Sequence, residues 1–373
     1  MLRALSAVLV IIFLGLTEPA LASRYRDCDQ IKKANRTIRG CTRIIKRGKR
    51  ESRDRRSVAH YNRGNVYRIR GQYDRAIADY GKAIKLNPKY AFAYNNRGLA
   101  YAAKGQNDRA FADYDKSIEL DPNNVPAYIN RGVLHKNVGN SEKAITDYDK
   151  AIKLDPRSVE AYANRGFMHY LHRRQFDKAI ADYDEAIKLN PKLAEPYRGR
   201  GLVYVEKGQH DLAIADYSKA MKFNRRNWAS YYNRGMAYSD IGQYDKAITD
   251  YSKAIKLNKK SAQAYEGRGN AYRDKGRQDR AMLDYRRAIS IDPKLNSELG
   301  LTVFAYYLNL TQKKTDRAIS VLTKIIRIDP RAGWTYNFRC FAYVKKGKTR
   351  LAKRDKKKAL KLAPNLPLIC GVP

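Results

Sequence analysis

Five histidines, four cysteines and a recurring arginine–aspartate couple are the residues whose types and spacing could do chemistry in this chain of 373 residues. Only His169 and His172 fall close enough to place two imidazoles on one helix face, and Asp177 is the sole third ligand in reach for a metal. His135 and His169 stand where neighbouring copies of the same pattern hold a core tyrosine, so packing accounts for both. No strained turn presents a nucleophile and no glycine-rich loop is built to cradle phosphate. The expectation is a chain with no catalytic residue, no metal and no cofactor. The cysteines sort into one pair near each end, Cys28 with Cys41 and Cys340 with Cys370. Four cysteines split in this way have no zinc spacing, and in an oxidising compartment they read as two structural disulfides.

The couple is the stronger signal. An arginine precedes a glycine on one helix, and an aspartate precedes an aromatic residue on the next; the last couple instead precedes Cys340 and Lys356. The pairs are Arg63 with Asp79, Arg97 with Asp113, Arg131 with Asp147, Arg165 with Asp182, Arg200 with Asp216, Arg234 with Asp250, Arg268 with Asp284 and Arg339 with Asp355. Both members are missing together in the one segment that has Ala305 and Val321 near those places. Joint retention and joint loss predict an ion pair, within a unit or across to the next. The planar guanidinium fork suits a half-buried carboxylate. An arginine ladder for an anionic ligand is the weaker reading, because each arginine has its own aspartate.

The elements that position these residues repeat every 34 residues. The clearest copy is AYNNRGLAYAAKGQNDRAFADYDKSIELDP, Ala93 to Pro122, with a spine of Tyr94, Gly98, Tyr101, Gly105, Ala110, Tyr114, Ser117 and Pro122. Gly64, Gly98 and Gly132 are in step, as are Pro88, Pro122 and Pro156. This pattern resembles the tetratricopeptide repeat (TPR) family over about residues 57 to 366. The resemblance implies an all-α superhelical solenoid of about nine helix-turn-helix repeats. Seven repeats are expected over 57–295, and a degenerate eighth and a ninth over 296–366. A capping segment, 23–56, precedes them and a tail, 367–373, follows. Repeat four has an extra residue and Arg173-Arg174 at its turn, and repeats five and six have Arg225 and Lys259 in place of the closing proline.

The resemblance also implies that first helices line a concave groove. Its lining is expected to include Phe92, Leu99, Ile129, Val133, Phe167, Tyr170, Leu202, Val205, Tyr232 and Met236, an apolar trough suited to a protein segment. The family's clamp for a C-terminal carboxylate is not expected, since the matching positions hold Tyr61, Asn65 and Asn96 without the first lysine.

Charge is extreme, with 76 Lys and Arg against 37 Asp and Glu, a net of +39. Many acids are committed to helix starts (Asp74, Asp108, Glu142, Asp177, Asp211, Asp245, Asp279) or to the arginines. Second helices carry outward basic pairs: Lys82 and Lys85, Lys150 and Lys153, Lys219 and Lys222, and Lys253 and Lys256, each on one helix face. They read either as a solvated face or as a stripe for an anionic polymer or lipid.

Residues 1–22 carry a basic Arg3, an apolar run from Ala4 to Leu16 and an Ala20-Leu21-Ala22 end, the pattern of a secretory signal peptide. The expected place is therefore periplasmic or extracellular, associated with the cell envelope. The expected function is a non-catalytic protein-interaction scaffold. The alternative is a binder of lipopolysaccharide, exopolysaccharide or anionic lipid. No small-molecule substrate and no nucleic-acid partner are expected, and the sequence assigns no oligomeric state.

Overall fold

A computed structural model describes residues 28, 34–171, 175–292, 315–328, 330–331, 333–364 and 370–371. The signal-peptide segment, His172, the Arg173-Arg174 turn, the first half of the eighth unit and most of the tail lie outside them. Among the described residues there are eighteen α-helices, one short 3-10 turn at Gly48–Arg50, and no strand.

α1 (Ala34–Lys46) is followed by helix pairs α2 (Arg53–Ile69) and α3 (Tyr73–Leu86), α4 (Ala91–Ala103) and α5 (Asn107–Leu120), and α6 (Val125–Asn137) and α7 (Ser141–Leu154). Then come α8 (Val159–Leu171) and α9 (Phe176–Leu189), α10 (Ala194–Glu206) and α11 (His210–Phe223), α12 (Trp228–Asp240) and α13 (Tyr244–Leu257), and α14 (Ala262–Asp274) and α15 (Gln278–Ile291). α16 (Thr315–Ile328), α17 (Gly333–Lys345) and α18 (Thr349–Leu362) complete the chain. The first repeat helix starts four residues before Ser57, because Ser52 caps it by accepting a hydrogen bond from the Arg55 amide. Much of the stretch that reads as a basic connector is therefore helical.

Two turns recur, each with a chemical cause. Inside a repeat the first helix ends at a glycine in the left-handed region. Gly105, for example, has φ 72°, and the following Gln106 amide reaches back to the Tyr101 carbonyl at 3.0 Å. Between repeats the second helix ends at Asn or Asp, whose side chain accepts from the amide two residues on. Asp121 Oδ1 receives Asn123 N at 3.1 Å. This Asx turn explains how repeats five and six dispense with proline: Asn224 and Asn258 hold Arg226 N and Lys260 N at 3.2 and 3.1 Å.

Packing within a repeat rests on a glycine under a tyrosine. A Cβ on Gly98 would lie 2.8 Å from Tyr114 Cε1, so no larger residue fits without moving the ring. Ala110 and Tyr114 are buried beside it. The last repeat replaces that tyrosine with Lys356, which leaves room for Cys340 at the glycine position. There Cys340 is buried with Tyr343, Ala352 and Cys370.

The chain forms two compact units, residues 1–168 and 169–373. The first is closed at its start by α1, where Cys28, Cys41, Ile44 and Ala59 form a small core and Cys28 is bonded to Cys41. The second ends at α17 and α18, with Cys340 bonded to Cys370. Among the described residues, no helix is long and apolar enough to cross a membrane.

Candidate functional site

Seven of the eight arginine–aspartate couples lie within one unit and are bidentate. Arg97 Nε donates to Asp113 Oδ2 at 2.8 Å and Nη2 to Oδ1 at 2.7 Å. The same fork joins Arg63 to Asp79, Arg131 to Asp147, Arg200 to Asp216, Arg234 to Asp250, Arg268 to Asp284 and Arg339 to Asp355. The aspartates are buried, and in Arg97, Arg200, Arg268 and Arg339 the guanidinium sits between two tyrosines of its own helix: Arg97 lies 5.4 Å from the Tyr94 ring and 5.9 Å from Tyr101. Arg165 belongs to the first unit, where it donates to Asp149 at 2.6 Å, and Asp182 belongs to the second, where it lies 3.7 Å from His169 Nε2.

The remaining guanidinium nitrogen reaches the preceding repeat. Nη1 of Arg131 bonds Asp115 at 2.6 Å, and that of Arg200 bonds Asp184. Arg234, Arg268 and Arg339 use Ser218, Ser252 and Thr323 at 2.8, 2.9 and 3.0 Å. Arg63 uses Thr42 of α1 at 2.9 Å, which ties the cap to the first repeat, at a separation of 21 where the later ties have 16. Each of these arginines therefore closes its own repeat and ties it to the one before. A second tie joins the acid at a helix start to a lysine of the following repeat: Lys207 Nζ meets Asp177 at 2.6 Å, and Lys104, Lys275 and Lys346 meet Asp74, Asp245 and Asp316.

The face expected to be a groove is only partly open. Phe92 and Met236 are exposed (44% and 37%). Leu99, Val133, Phe167, Tyr170, Leu202, Val205 and Tyr232 are half-buried. Ile129 is a correction: it is 4% exposed and packs with Tyr148, Ala161 and Met168, because its side chain turns into the seam between helices. The sequence reading also missed a carboxamide chain on this face. Asn96 Nδ2 donates to Tyr61 Oη at 2.9 Å and to Asn65 Oδ1 at 2.8 Å. Asn95 donates to Asn96, and Asn130 to Asn95, at 3.0 and 2.9 Å. Three residues after such an asparagine comes an apolar side chain: Asn96 with Leu99, Asn130 with Val133, Asn164 with Phe167 and, in the second unit, Asn233 with Met236.

The basic pairs of the second helices divide into two kinds of position. Lys82, Lys150, Lys219 and Lys253 stand mid-helix and exposed, and the Lys253 ammonium lies 6.0 Å from the Tyr231 ring. Lys85, Lys153, Lys222 and Lys256 are also exposed, but each occupies the last turn of its helix, α3, α7, α11 and α13. A cation there complements the negative end of the helix dipole. Local helix chemistry is therefore a sufficient reason for Lys85, Lys153, Lys222 and Lys256.

The tetratricopeptide repeat profile matches residues 91–124, 125–158, 228–261 and 262–295. Two further TPR profiles match 64–105, 173–208 and 201–242, and 147–181. The chain belongs to the tetratricopeptide repeat family. No curated protein matches it in sequence. Among solved structures, this TPR chain is similar to PilW, a type IV pilus biogenesis factor (17% identity, TM-score 0.52, covering 57% of this chain and 98% of that one). It is also similar to pilF of Pseudomonas aeruginosa (19%, 0.51, 58% and 96%) and to a tetratricopeptide repeat protein of Parabacteroides merdae (22%, 0.50, 66% and 97%). At these identities the likeness speaks for the fold.

Electrostatics around the TPR ties follow from burial. Burial raises the Asp79 carboxyl, but bonds from Arg63 and His60 outweigh it and hold it below the ordinary carboxylate value. The bond to Asp216 raises the already high value of Arg200. Burial lowers the His135 imidazole, against the pull of Asp147, and its Nδ1 is buried without a hydrogen-bond partner. On the groove side, burial raises Glu160, with Lys136 opposing, and pushes Tyr232 up to about 12. His169 Nδ1 lies 2.6 Å from Gln175 Oε1. Among the described residues, no cluster of three His, Cys, Asp or Glu side chains could hold a metal ion.

Proposed function

We propose that this TPR protein is a non-catalytic scaffold that binds an extended protein segment along its first helices. The observation that carries the reading is the repeated carboxamide–apolar couple. Asn96 commits both amide hydrogens to Tyr61 and Asn65, so its carbonyl can only accept from a peptide backbone. Asn130 gives one hydrogen to Asn95 and can still donate and accept; the apolar neighbour takes a side chain. Neighbouring packed helices are about 10 Å apart, and an extended chain advances about 3.3 Å per residue. A bound segment would therefore offer an apolar side chain at about every third position.

The protein would work outside the cytosol, in the periplasm or beyond. The apolar run from Ala4 to Leu16 with its small-residue end, together with the two disulfides, supports that placement. Mass spectrometry of the chain from its native cell tests it: cleavage after Ala22 is expected, and an intact N-terminus in the cytosol would overturn it.

Selection of a displayed random-peptide library on the purified protein tests the binding mode. Enriched peptides should carry apolar residues at three-residue spacing; those held by the first unit should be lost by Phe92→Asp and those held by the second by Met236→Asp. These two sites are exposed, so their substitution spares the core. Enrichment of acidic peptides indifferent to both changes would sink the proposal.

A further inference from the structure

The last helix, α18, breaks the pattern kept by the second helices before it. Its sequence, TRLAKRDKKKALKL, has seven basic residues and one acid. That acid, Asp355, is buried and already held by both arms of Arg339. Where earlier repeats place a negative residue in the first turn, α18 has Arg350, which opposes the helix dipole. Where they place an isoleucine against the next repeat, as at Ile77, Ile214 and Ile248, α18 has Lys353. Where they place the Ser or Asp that accepts the next arginine, it has Lys357. The face that receives the next repeat in α3, α11 and α13 is here cationic.

Arg350, Lys353, Arg354, Lys357, Lys358 and Lys361 follow one another at short helical intervals and are all exposed. They form one face of the helix, about 16 Å from Arg350 to Lys361. The preceding turn adds Lys345 and Lys348. A polar cap is needed to end a repeat array in water, but mixed charge would serve that need. Like charges three and four residues apart repel one another, and Arg350 also opposes the helix dipole, a local cost that solubility does not require.

We propose that α18 is a docking face for an anionic phospholipid bilayer. A dense patch of this many cations on one helix suits an array of headgroups. A linear polymer would be met better by charges spaced from repeat to repeat. The apolar side of α18 packs into its own repeat through Leu351, Ala352, Ala359 and Leu362, so the helix lies on the surface rather than in it. The face is separate from the peptide groove, and either reading can fail without the other.

The test is co-sedimentation of the full chain with vesicles of phosphatidylcholine alone or mixed with phosphatidylglycerol. Binding is expected only to the anionic vesicles. Each neutralised cation should weaken it about fivefold, so the combined changes Lys353→Gln, Lys357→Gln and Lys361→Gln should lose on the order of a hundredfold. The combined changes Lys82→Gln, Lys150→Gln and Lys219→Gln, on the outer stripe, should keep full binding. All of these sites are exposed, and unchanged thermal melting checks the fold. No vesicle binding by the wild type, or undiminished binding by the α18 variant, would overturn the proposal. So would soluble polyphosphate binding more tightly than vesicles of equal charge, which would make the face a polymer site.

Discussion

Gly81 is the one place among the described ties where the inter-repeat bond is missing, and that gap offers a sharp test. Arg97 makes both bonds to Asp113, but its Nη1 faces Gly81, where other repeats offer Asp, Ser or Thr. A Cβ built on Gly81 would stand 3.9 Å from that nitrogen, and a serine hydroxyl would close the remaining gap. Ser218 and Ser252 show the geometry, accepting from arginine at 2.8 and 2.9 Å while donating to the carbonyls of Ile214 and Ile248. Gly81 lies inside α3, so Gly81→Ala should gain about 1 kcal/mol from helix preference, and Gly81→Ser about half of that. A hydrogen bond to a charged group contributes about 1.5–3 kcal/mol when enclosed, and about 1 kcal/mol at this half-exposed site. Serine should therefore exceed alanine by about 0.5 kcal/mol or more, against its intrinsic rank. Repeat arrays do not unfold as one unit, so native-state hydrogen exchange in α3 and α4 is the assay. In an Arg97→Lys background, which keeps the charge but not the fork, alanine should again lead. Alanine equal to or better than serine in the wild-type background would refute the tie.

Other outcomes follow from the same structure. Asp216→Ala strands a half-buried Arg200 and should cost about 3–5 kcal/mol in local exchange, because Asp184 alone is exposed and screened. His135 has its folded value depressed by burial, so the stability it supports is complete above about pH 6.5 and declines as pH falls through the folded value. Native-state hydrogen exchange in α6 and α7, compared between about pH 8 and 5, should show that decline, and His135→Tyr, the residue of neighbouring repeats, should remove it there. Joint replacement, Cys340→Ser with Cys370→Ser, opens a link of sequence separation 30 and should weaken α17 and α18 by about 3–4 kcal/mol on the chain-entropy account, with α10 to α13 unchanged in exchange.

Most of the fold could be read from spacing alone, because glycine, tyrosine and alanine recur wherever two helices must approach closely. The coupling of arginine to aspartate was legible because both vanish together. The third contact was not, since from the second repeat on the position sixteen residues before the arginine holds Asp, Ser, Thr or Gly, which share no composition signal, and Arg63 reaches Thr42, 21 residues back. A scan for hydrogen-bonding residues at that offset would have found it. Tyr61, Asn65 and Asn96 were legible as groove positions, but their bonds to one another, and the link from Asn130 through Asn95, show only when neighbouring first helices are side by side. Ile129 shows the limit on the groove itself. Helical periodicity places a residue on a face, but it does not tell the open side of that face from the seam beside it. The lysine stripe shows another limit, since a three-residue spacing does not separate Lys85 or Lys256, at a helix end, from Lys82 or Lys253 one turn earlier.

The most direct test of the account measures affinity for a selected extended peptide as salt rises, in the wild type and in Phe92→Asp and Met236→Asp. The account predicts an affinity nearly indifferent to salt and strongly reduced by the change in the unit that holds the peptide, Phe92→Asp for the first and Met236→Asp for the second. Binding that fades with salt and ignores both changes would mean that the cationic surface, not the first-helix groove, holds the partner.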